Sequence, residues 1–285
     1  MGKEKKYRSR YCEEVVREKI NMKYIKNTVL PKLTDLTDLE IACEEIKQLS
    51  SDEERKEYID KNYTKWTTIK EILWNLGNNK CWYSEVKIQR NQGHVEHFRP
   101  KKSIAGVNKC GYWWSAFDWH NYRFSHPTCN SRIRDYLSGK LCGKGTYFPL
   151  KDETKRANCK EEEVNEEPLL LDPTIASDTK LICFDTSSGK PIPRIPEKID
   201  KWKNERTRFS IKYYHLDEGT WNVNRSDSIA DLNVLCDRLE SSDGNEYDNY
   251  INELYAKFLN DQAEFLSLSY QVVRERGLLE KVLYG

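Results

Sequence analysis

Residues 78–150 interrupt a chain whose flanking sequences have helical periodicity. The segment is rich in Gly, Trp, Tyr, His and Arg and holds few apolar repeats at helical spacing. Eight Trp and seventeen Tyr among 285 residues are not the composition of a disordered chain. The sequence therefore predicts an α+β protein, with an N-terminal helical region at 1–75, a small core at 76–150 and a loop-rich, mostly helical C-terminal region at 151–285.

Local signals place elements within these regions. An amphipathic stretch through Val15 and Ile20 predicts a first helix, Ser51–Glu54 has the chemistry of a helix start, and Gly77 can end a short helix. In the core, short strands are predicted at Cys81–Tyr83, His94–Phe98 and Tyr122–Ser125, with a helix from about Cys129–Asn130. Two helices are predicted at 226–240 and about 246–278.

The small net charge of +1 hides two regions of opposite sign. Residues 80–150 hold twelve Lys/Arg against four Asp/Glu, whereas 226–265 hold two against ten. A basic core indicates a polyanionic partner, and we expect a nucleic acid. The acidic region is either a solvated helix face, which we favour, or a docking surface for another protein.

Several classes of protein are disfavoured by what the sequence lacks. It has no run of about 18 apolar residues, so no membrane span is expected. Its first residues lack the apolar core of a signal peptide. Nine cysteines, an odd number, argue against a disulfide framework. We therefore expect a cytoplasmic protein with free or metal-binding cysteines.

Four polar residues in the core have the chemistry that phosphodiester hydrolysis needs. A neutral imidazole such as that of His97 can take a proton from the attacking water near pH 7. Glu96 and Asn130 offer oxygen ligands for a divalent cation that stabilises the developing charge. Asn121 offers an amide that can fix the His97 ring or a phosphate. A nucleic-acid backbone would be held by basic neighbours, for which we predict Arg99, Lys101, Lys102, Arg123 and Lys144.

Five ordered motifs, together with the Glu167–Pro173 segment, resemble a known superfamily. The motifs are Cys81–Glu85, Glu96–Lys101, Gly111–Tyr122, His126–Asn130 and Lys144–Leu150. They are similar to the His–Asn–His, or ββα-metal, nucleases, and more closely to the nuclease subunits of Septu-type and retron-linked anti-phage systems. The resemblance implies a ββα-metal core, an endonuclease activity with Mg²⁺ or Mn²⁺, and an ATPase partner. DNA is favoured over RNA as the substrate.

The resemblance also assigns roles to individual residues. It makes His97 the general base, Asn121 the central asparagine, and Glu96 and Asn130 the metal-site residues. We interpret His94 as a hydrogen-bonding neighbour rather than a ligand.

A structural Zn²⁺ is implied at Cys81, His126 and Cys129. The chain departs from the family pattern there, because Ser84 occupies a ligand position and serine is a poor zinc ligand. The alternative function is a non-catalytic nucleic-acid-binding or scaffold module with a structural metal site.

Three tryptophans in the core allow two interpretations. Trp113, Trp114 and Trp119 have aromatic faces that can stack on the bases of a single strand. We favour packing under a small core that has little room for other apolar residues.

Overall fold

The computed structural model describes residues 23–134 and 141–284 and has the predicted α+β architecture. The predicted helix through Val15 and Ile20 lies outside these residues. The α-helices are α1 Leu30–Leu33, α2 Thr37–Lys47, α3 Asp52–Lys61, α4 Thr64–Thr67, α5 Lys70–Leu76, α6 Pro127–Asn130, α7 Ala176–Thr179, α8 Lys201–Tyr213, α9 Gly219–Ser241, α10 Gly244–Leu254, α11 Leu266–Glu275 and α12 Leu279–Tyr284. The strands are β1 His94–His97, β2 Tyr122–Ser125, β3 Ile133–Arg134, β4 Leu141–Cys142, β5 Ile182–Phe184 and β6 Pro191–Pro193, paired in sequence order as three antiparallel hairpins.

The N-terminal helices begin and end where local chemistry directs. Ser51 accepts a hydrogen bond from the Glu54 amide, and the Glu54 carboxylate accepts one from the Ser51 amide, which forms a capping box at the start of α3. At the end of α5 the Gly77 amide donates to the Leu73 carbonyl. Both boundaries were predicted from the sequence, and both are confirmed.

The apolar faces of these helices pack over the β1–β2 hairpin. Leu39, Ala42 and Ile46 lie three and four residues apart on α2 and are buried. They share one hydrophobic cluster with Tyr122 and Phe124 of β2. Burying a side chain the size of leucine or isoleucine stabilises the folded state by roughly 1.5–3 kcal/mol. The packed helices therefore fix the position of the hairpin.

Gly93 allows the chain to approach this cluster closely just before β1. A Cβ atom at this position would lie 2.1 Å from Cζ of Phe124. Only glycine therefore fits between the incoming chain and the buried ring.

The strand predicted at Cys81–Tyr83 is wrong. The Glu85 amide donates to the Cys81 carbonyl, and Glu85 has a φ of +60°, so the segment closes into a tight turn. A single bridge between Lys80 and Lys87 stands at its base. The apolar residues that suggested a strand are buried because the turn lies against β2, with the Trp82 amide bonded to the Phe124 carbonyl.

The described residues form two compact units. One comprises 25–174 with 205–216, with its internal gap at 135–140, and contains the β1–β2 hairpin. The other includes 175–204 and 217–284, with most of the C-terminal helices. The predicted boundaries at 75 and 150 do not coincide with this division, because the N-terminal helices share a core with the hairpin.

The long C-terminal helix predicted at about 246–278 is interrupted. The α-helix α10 passes into a π-helical turn at Tyr255–Leu259, and α11 begins only after Phe265, whose φ is +48°. Among residues 23–134 and 141–284, no helix combines the length and the apolar character that crossing a bilayer requires.

Candidate active site

The strands β1 and β2 followed by α6 form a ββα unit. The register pairs His94 with Ser125 and His97 with Tyr122, and α6 starts two residues after β2 ends. Alternation along β1 sends the Glu96 and His97 side chains to opposite sides of the strand. This unit is the arrangement that the sequence motifs imply.

A cleft of about 260 Å³ opens beside β1. It is lined by Glu96 and His97 at the end of β1, by the basic turn that follows the strand, and by Asn130 of α6. The lining residues include Glu96, His97, Lys101, Lys102, Ser103 and Asn130. Three of the four predicted chemical residues therefore meet at one cleft, although Asn130 is 33 positions from His97 in the sequence.

The ring of His97 is held by hydrogen bonds at both nitrogens. Its Nε2 lies 2.9 Å from the carbonyl oxygen of Ala116, and its Nδ1 lies 3.1 Å from Nζ of Lys101. Because a carbonyl oxygen can only accept, Nε2 carries the proton and Nδ1 presents its lone pair. Trp66 and Tyr122 pack edge-on against the ring, each with centroids 5.0 Å away.

This environment keeps the imidazole neutral. Burial, followed by the positive charge of Lys101, holds the pKa of His97 well below its ordinary value of 6.5. A neutral ring whose Nδ1 lone pair faces Lys101, a lining residue of the cleft, has the protonation state of a general base.

Asn121 holds the backbone around His97 rather than the ring itself. Its Oδ1 accepts from the Arg99 amide at 2.8 Å. Its Nδ2 donates to the carbonyls of Arg99 and Ser115, at 2.9 and 3.1 Å. The predicted contact with the ring or a phosphate is therefore corrected. Asn121 is a buried positioning residue that fixes the chain next to the Ala116 carbonyl.

The carboxylate of Glu96 is buried and lies between a hydroxyl and an ammonium group. Its Oε2 accepts from the Tyr83 hydroxyl at 2.7 Å, and its Oε1 forms an ion pair with Nζ of Lys144. The Glu96 side chain is 0% exposed and that of Lys144 is 1% exposed. Lys144 also donates to the His97 carbonyl at 2.8 Å. The prediction that Lys144 contacts phosphates is therefore corrected, because its charge is used to neutralise Glu96.

Asn130 lies at the edge of the cleft and is half-buried. Its Nδ2 lies 3.2 Å from Nδ1 of His94, which agrees with the interpretation of His94 as a hydrogen-bonding neighbour. Within the described ranges, no three His, Cys, Asp or Glu side chains are grouped as metal ligands. Because Glu96 lies against Tyr83 and Lys144, the divalent cation predicted between Glu96 and Asn130 would have to displace the Lys144 ammonium, and this metal site stays a prediction.

The predicted phosphate contacts separate into two groups. Lys101 and Lys102 line the cleft. Arg99 instead pairs with Glu166 at 2.9 Å. Arg123 is buried and donates to Asp172 at 2.7 Å. The expectation for these two arginines is corrected as well, since each guanidinium already neutralises a buried carboxylate.

The cysteines of the predicted zinc site form a pair. The sulfur atoms of Cys81 and Cys129 are 3.8 Å apart, which is about the edge of a tetrahedron with zinc–sulfur bonds of about 2.3 Å. Burial opposes ionisation of Cys81, but hydrogen bonds from Cys129, Ser84 and the His126 backbone lower its pKa to about 6. The Nδ1 atom of His126, however, accepts from the Thr128 amide at 3.1 Å. The structural zinc therefore stays a prediction: the Cys81–Cys129 spacing allows it, but His126 would have to give up the Thr128 amide to bind the ion through Nδ1.

Three residues of the site were not predicted from the sequence. The Tyr83 hydroxyl and the Ala116 carbonyl are the partners of Glu96 and His97, and Trp66 covers the imidazole. Tyr83 and Ala116 lie within the Cys81–Glu85 and Gly111–Tyr122 motifs. Their fixed positions in these motifs could have marked them as residues of the site. Trp66 lies in the N-terminal helical region, where no motif marked it.

The buried neutral imidazole makes a prediction about stability and pH. Because the folded protein disfavours protonation of His97 while the unfolded chain does not, unfolding takes up a proton below about pH 6.5. The contribution of neutral His97 to the free energy of unfolding is complete above that pH. It is lost as the pH falls towards the lower pKa that His97 has in the folded protein, with a slope of at most about 1.4 kcal/mol per pH unit.

Urea unfolding of the protein and of His97→Asn across about pH 5–8 measures this slope. We expect the variant to lose less stability on acidification than the parent. Parallel pH profiles for the two proteins would contradict the assignment.

The comparisons with known proteins agree with part of the resemblance. No protein-family model matches the chain. The chain is similar to a Septu protein. It is 38% identical over 112 residues to Septu protein PtuB of Bacillus mycoides (strain KBAB4). The aligned part is 37% of this chain and 35% of that relative, so the chain spans about a third of the length of the curated relative it matches. The likeness to Septu proteins inferred from the motifs is confirmed to this extent.

Proposed function

We propose that the protein is an endonuclease that hydrolyses phosphodiester bonds of nucleic acid, with His97 as the general base. The observation that carries the proposal is the state of the imidazole. It is neutral, its Nε2 is fixed by the Ala116 carbonyl, and its Nδ1 lone pair lies beside Lys101 at a basic cleft. That combination suits proton removal next to a bound anion.

The residues of the cleft divide the reaction between them. Nδ1 of His97 accepts a proton from the attacking water as the water oxygen forms a bond to phosphorus. The bond from phosphorus to the leaving oxygen breaks, and the leaving oxygen keeps the electron pair and takes a proton from solvent. The Lys101 ammonium must turn from Nδ1 to a phosphate oxygen, since the same lone pair has to accept the water proton. There it stabilises the charge that builds on the phosphate. Lys102 holds the adjoining backbone.

The metal requirement remains a prediction of the family resemblance. When bound, Mg²⁺ or Mn²⁺ would act as a Lewis acid on the phosphate. To hold the ion, the Glu96 carboxylate would have to leave its ion pair with Lys144. The Cys81–Cys129 pair likewise leaves structural zinc as a prediction.

The similarity to a Septu protein supports a role in anti-phage defence. In that setting we propose that an ATPase subunit controls the nuclease, because an uncontrolled nuclease would damage its host. The acidic region at 226–265 is our proposed docking surface for such a partner.

A cleavage panel tests the proposed activity. The purified protein is incubated with single- and double-stranded DNA and RNA, in Mg²⁺, in Mn²⁺ and in a chelator, with and without a neighbouring ATPase. We expect internal cuts, in DNA before RNA, that the chelator abolishes. Nucleic-acid binding without cleavage under every condition would favour the alternative, a non-catalytic scaffold.

A further inference from the structure

A second and larger hollow lies next to the cleft. It has a volume of about 810 Å³ and shares Lys102 and Ser103 with the cleft as lining residues. The two hollows are therefore neighbours that share this short stretch of chain as a wall. We call the larger hollow the flanking groove.

The flanking groove is strongly basic. Among the described residues that line it, five are basic, namely Arg55, Lys56, Lys102, Lys109 and Arg156, and one is acidic, Asp52. The two arginines are tied down, Arg156 by Glu153 and Arg55 by Asp52 and the Leu49 carbonyl. The three lysines are the charges available to a ligand.

The lysines are held only loosely. Lys56 is 45% exposed, and its nearest carboxylate, that of Glu53, is 4.0 Å away. Lys109 is exposed, with Nζ 3.3 Å from the Asn158 amide oxygen. Lys102 pairs with the exposed Asp60. Exposed pairs of this kind are worth about 0–1 kcal/mol, so a phosphate can compete for each lysine at little cost.

The groove also contains planar groups. Trp113 is half-buried, and the guanidinium carbon of Arg55 lies 4.2 Å from the centre of its ring. Tyr112 and Trp114 lie beside it. Aromatic rings and guanidinium planes are the surfaces on which unpaired bases stack. The packing interpretation holds for all three tryptophans, because Trp114 is buried and Trp113 and Trp119 pack against the hydrophobic core. Trp113 and Trp114 also line the groove.

We propose that the flanking groove binds an unpaired stretch of the nucleic-acid strand whose scissile phosphate lies in the cleft. This inference rests on the proposed function for the position of that phosphate. The volume falls within the range of about 300–1,000 Å³ that accommodates a drug-sized ligand, and therefore takes one or two unpaired nucleotides. The lysines bind the phosphates, and the Arg55–Trp113 floor contacts the bases.

The binding of an oligonucleotide to the protein tests the groove. It is measured in a chelator, because the predicted cleavage stops there. Fluorescence anisotropy of a short fluorescein-labelled oligothymidylate is measured for the parent, Lys56→Ala, Lys109→Ala and the control Lys32→Ala. Lys32 is exposed and lines neither hollow. We expect each groove variant to bind roughly 3–10-fold more weakly and to reduce the slope of log affinity against log salt by about 0.7. We expect the control to match the parent and a duplex of the same length to bind more weakly.

A second measurement locates the oligonucleotide without any substitution. Cys110 is exposed and lines the groove, so its alkylation by a maleimide, followed by peptide mass spectrometry, reports occupancy. Saturating oligothymidylate is expected to protect Cys110 and to leave the half-buried Cys159 unaffected. Unchanged alkylation of Cys110, or groove variants that bind like Lys32→Ala, would overturn the proposal.

Failure of the proposed function gives a different result. In that case the groove variants still weaken binding and Cys110 is still protected, but no metal supports cleavage by the parent protein.

Discussion

Replacing His97 with Asn is expected to slow cleavage by roughly 10²- to 10⁴-fold, which is the usual contribution of a general base. The asparagine amide can still donate to the Ala116 carbonyl, but it has no lone pair basic enough to take a proton from water. Single-turnover cleavage at saturating protein measures the effect on the chemical step.

A second histidine provides the matched control. His120 lies near in sequence but is exposed, with its ring stacked on Trp119 and bonded to Asp118. His120→Asn is therefore expected to cleave at a rate within a few fold of the parent. If His97→Asn cleaves as fast as His120→Asn, while urea unfolding shows both variants folded, His97 is not the base.

Replacing Lys144 with Met is expected to destabilise the protein by about 3–5 kcal/mol. The substitution keeps most of the side-chain length but leaves the carboxylate of Glu96 buried without its counter-charge. The free energy of unfolding in urea measures the loss directly. The same change at Lys151, which pairs with Glu167 at a site where both side chains are 46% exposed, is expected to cost no more than about 1 kcal/mol.

A double variant separates the charge from the packing at Lys144. Combining Lys144→Met with Glu96→Gln removes both charges and is expected to recover much of the lost stability, because the amide can still accept from Tyr83. A Lys144→Met variant as stable as Lys151→Met would mean that Glu96 is not paired in solution. Glu96 would then be open to the predicted metal ion.

Local sequence signals were sufficient to predict the elements that are determined by interactions between residues close together in the chain. The capping box at Ser51, the stop at Gly77 and the strand at Tyr122–Ser125 each depend on short-range hydrogen bonding or alternation. The order of the motifs also predicted that residues 96, 97 and 130 meet, and in the structure all three line one cleft.

The sequence could not predict the partners that residues far apart in the chain provide. Glu96 and Lys144 are 48 positions apart, and Arg123 and Asp172 are 49 apart, so nothing local indicates that each charge is neutralised in the interior. Judged by residue type alone, each of these carboxylates could bind a metal ion, and each of these cations could contact a phosphate. Burial decided otherwise, because an unpaired charge in the interior costs several kcal/mol.

The sequence by itself therefore determined which residue types the core brings to its cleft and the α+β architecture that holds them. The tertiary structure alone decided which of them present a lone pair or a charge at the cleft. His97 keeps its lone pair because the Ala116 carbonyl takes its only proton. Lys101 and Lys102 stay at the cleft, since within residues 23–134 and 141–284 Lys101 contacts the His97 ring and Lys102 pairs with the exposed Asp60 rather than with a buried carboxylate.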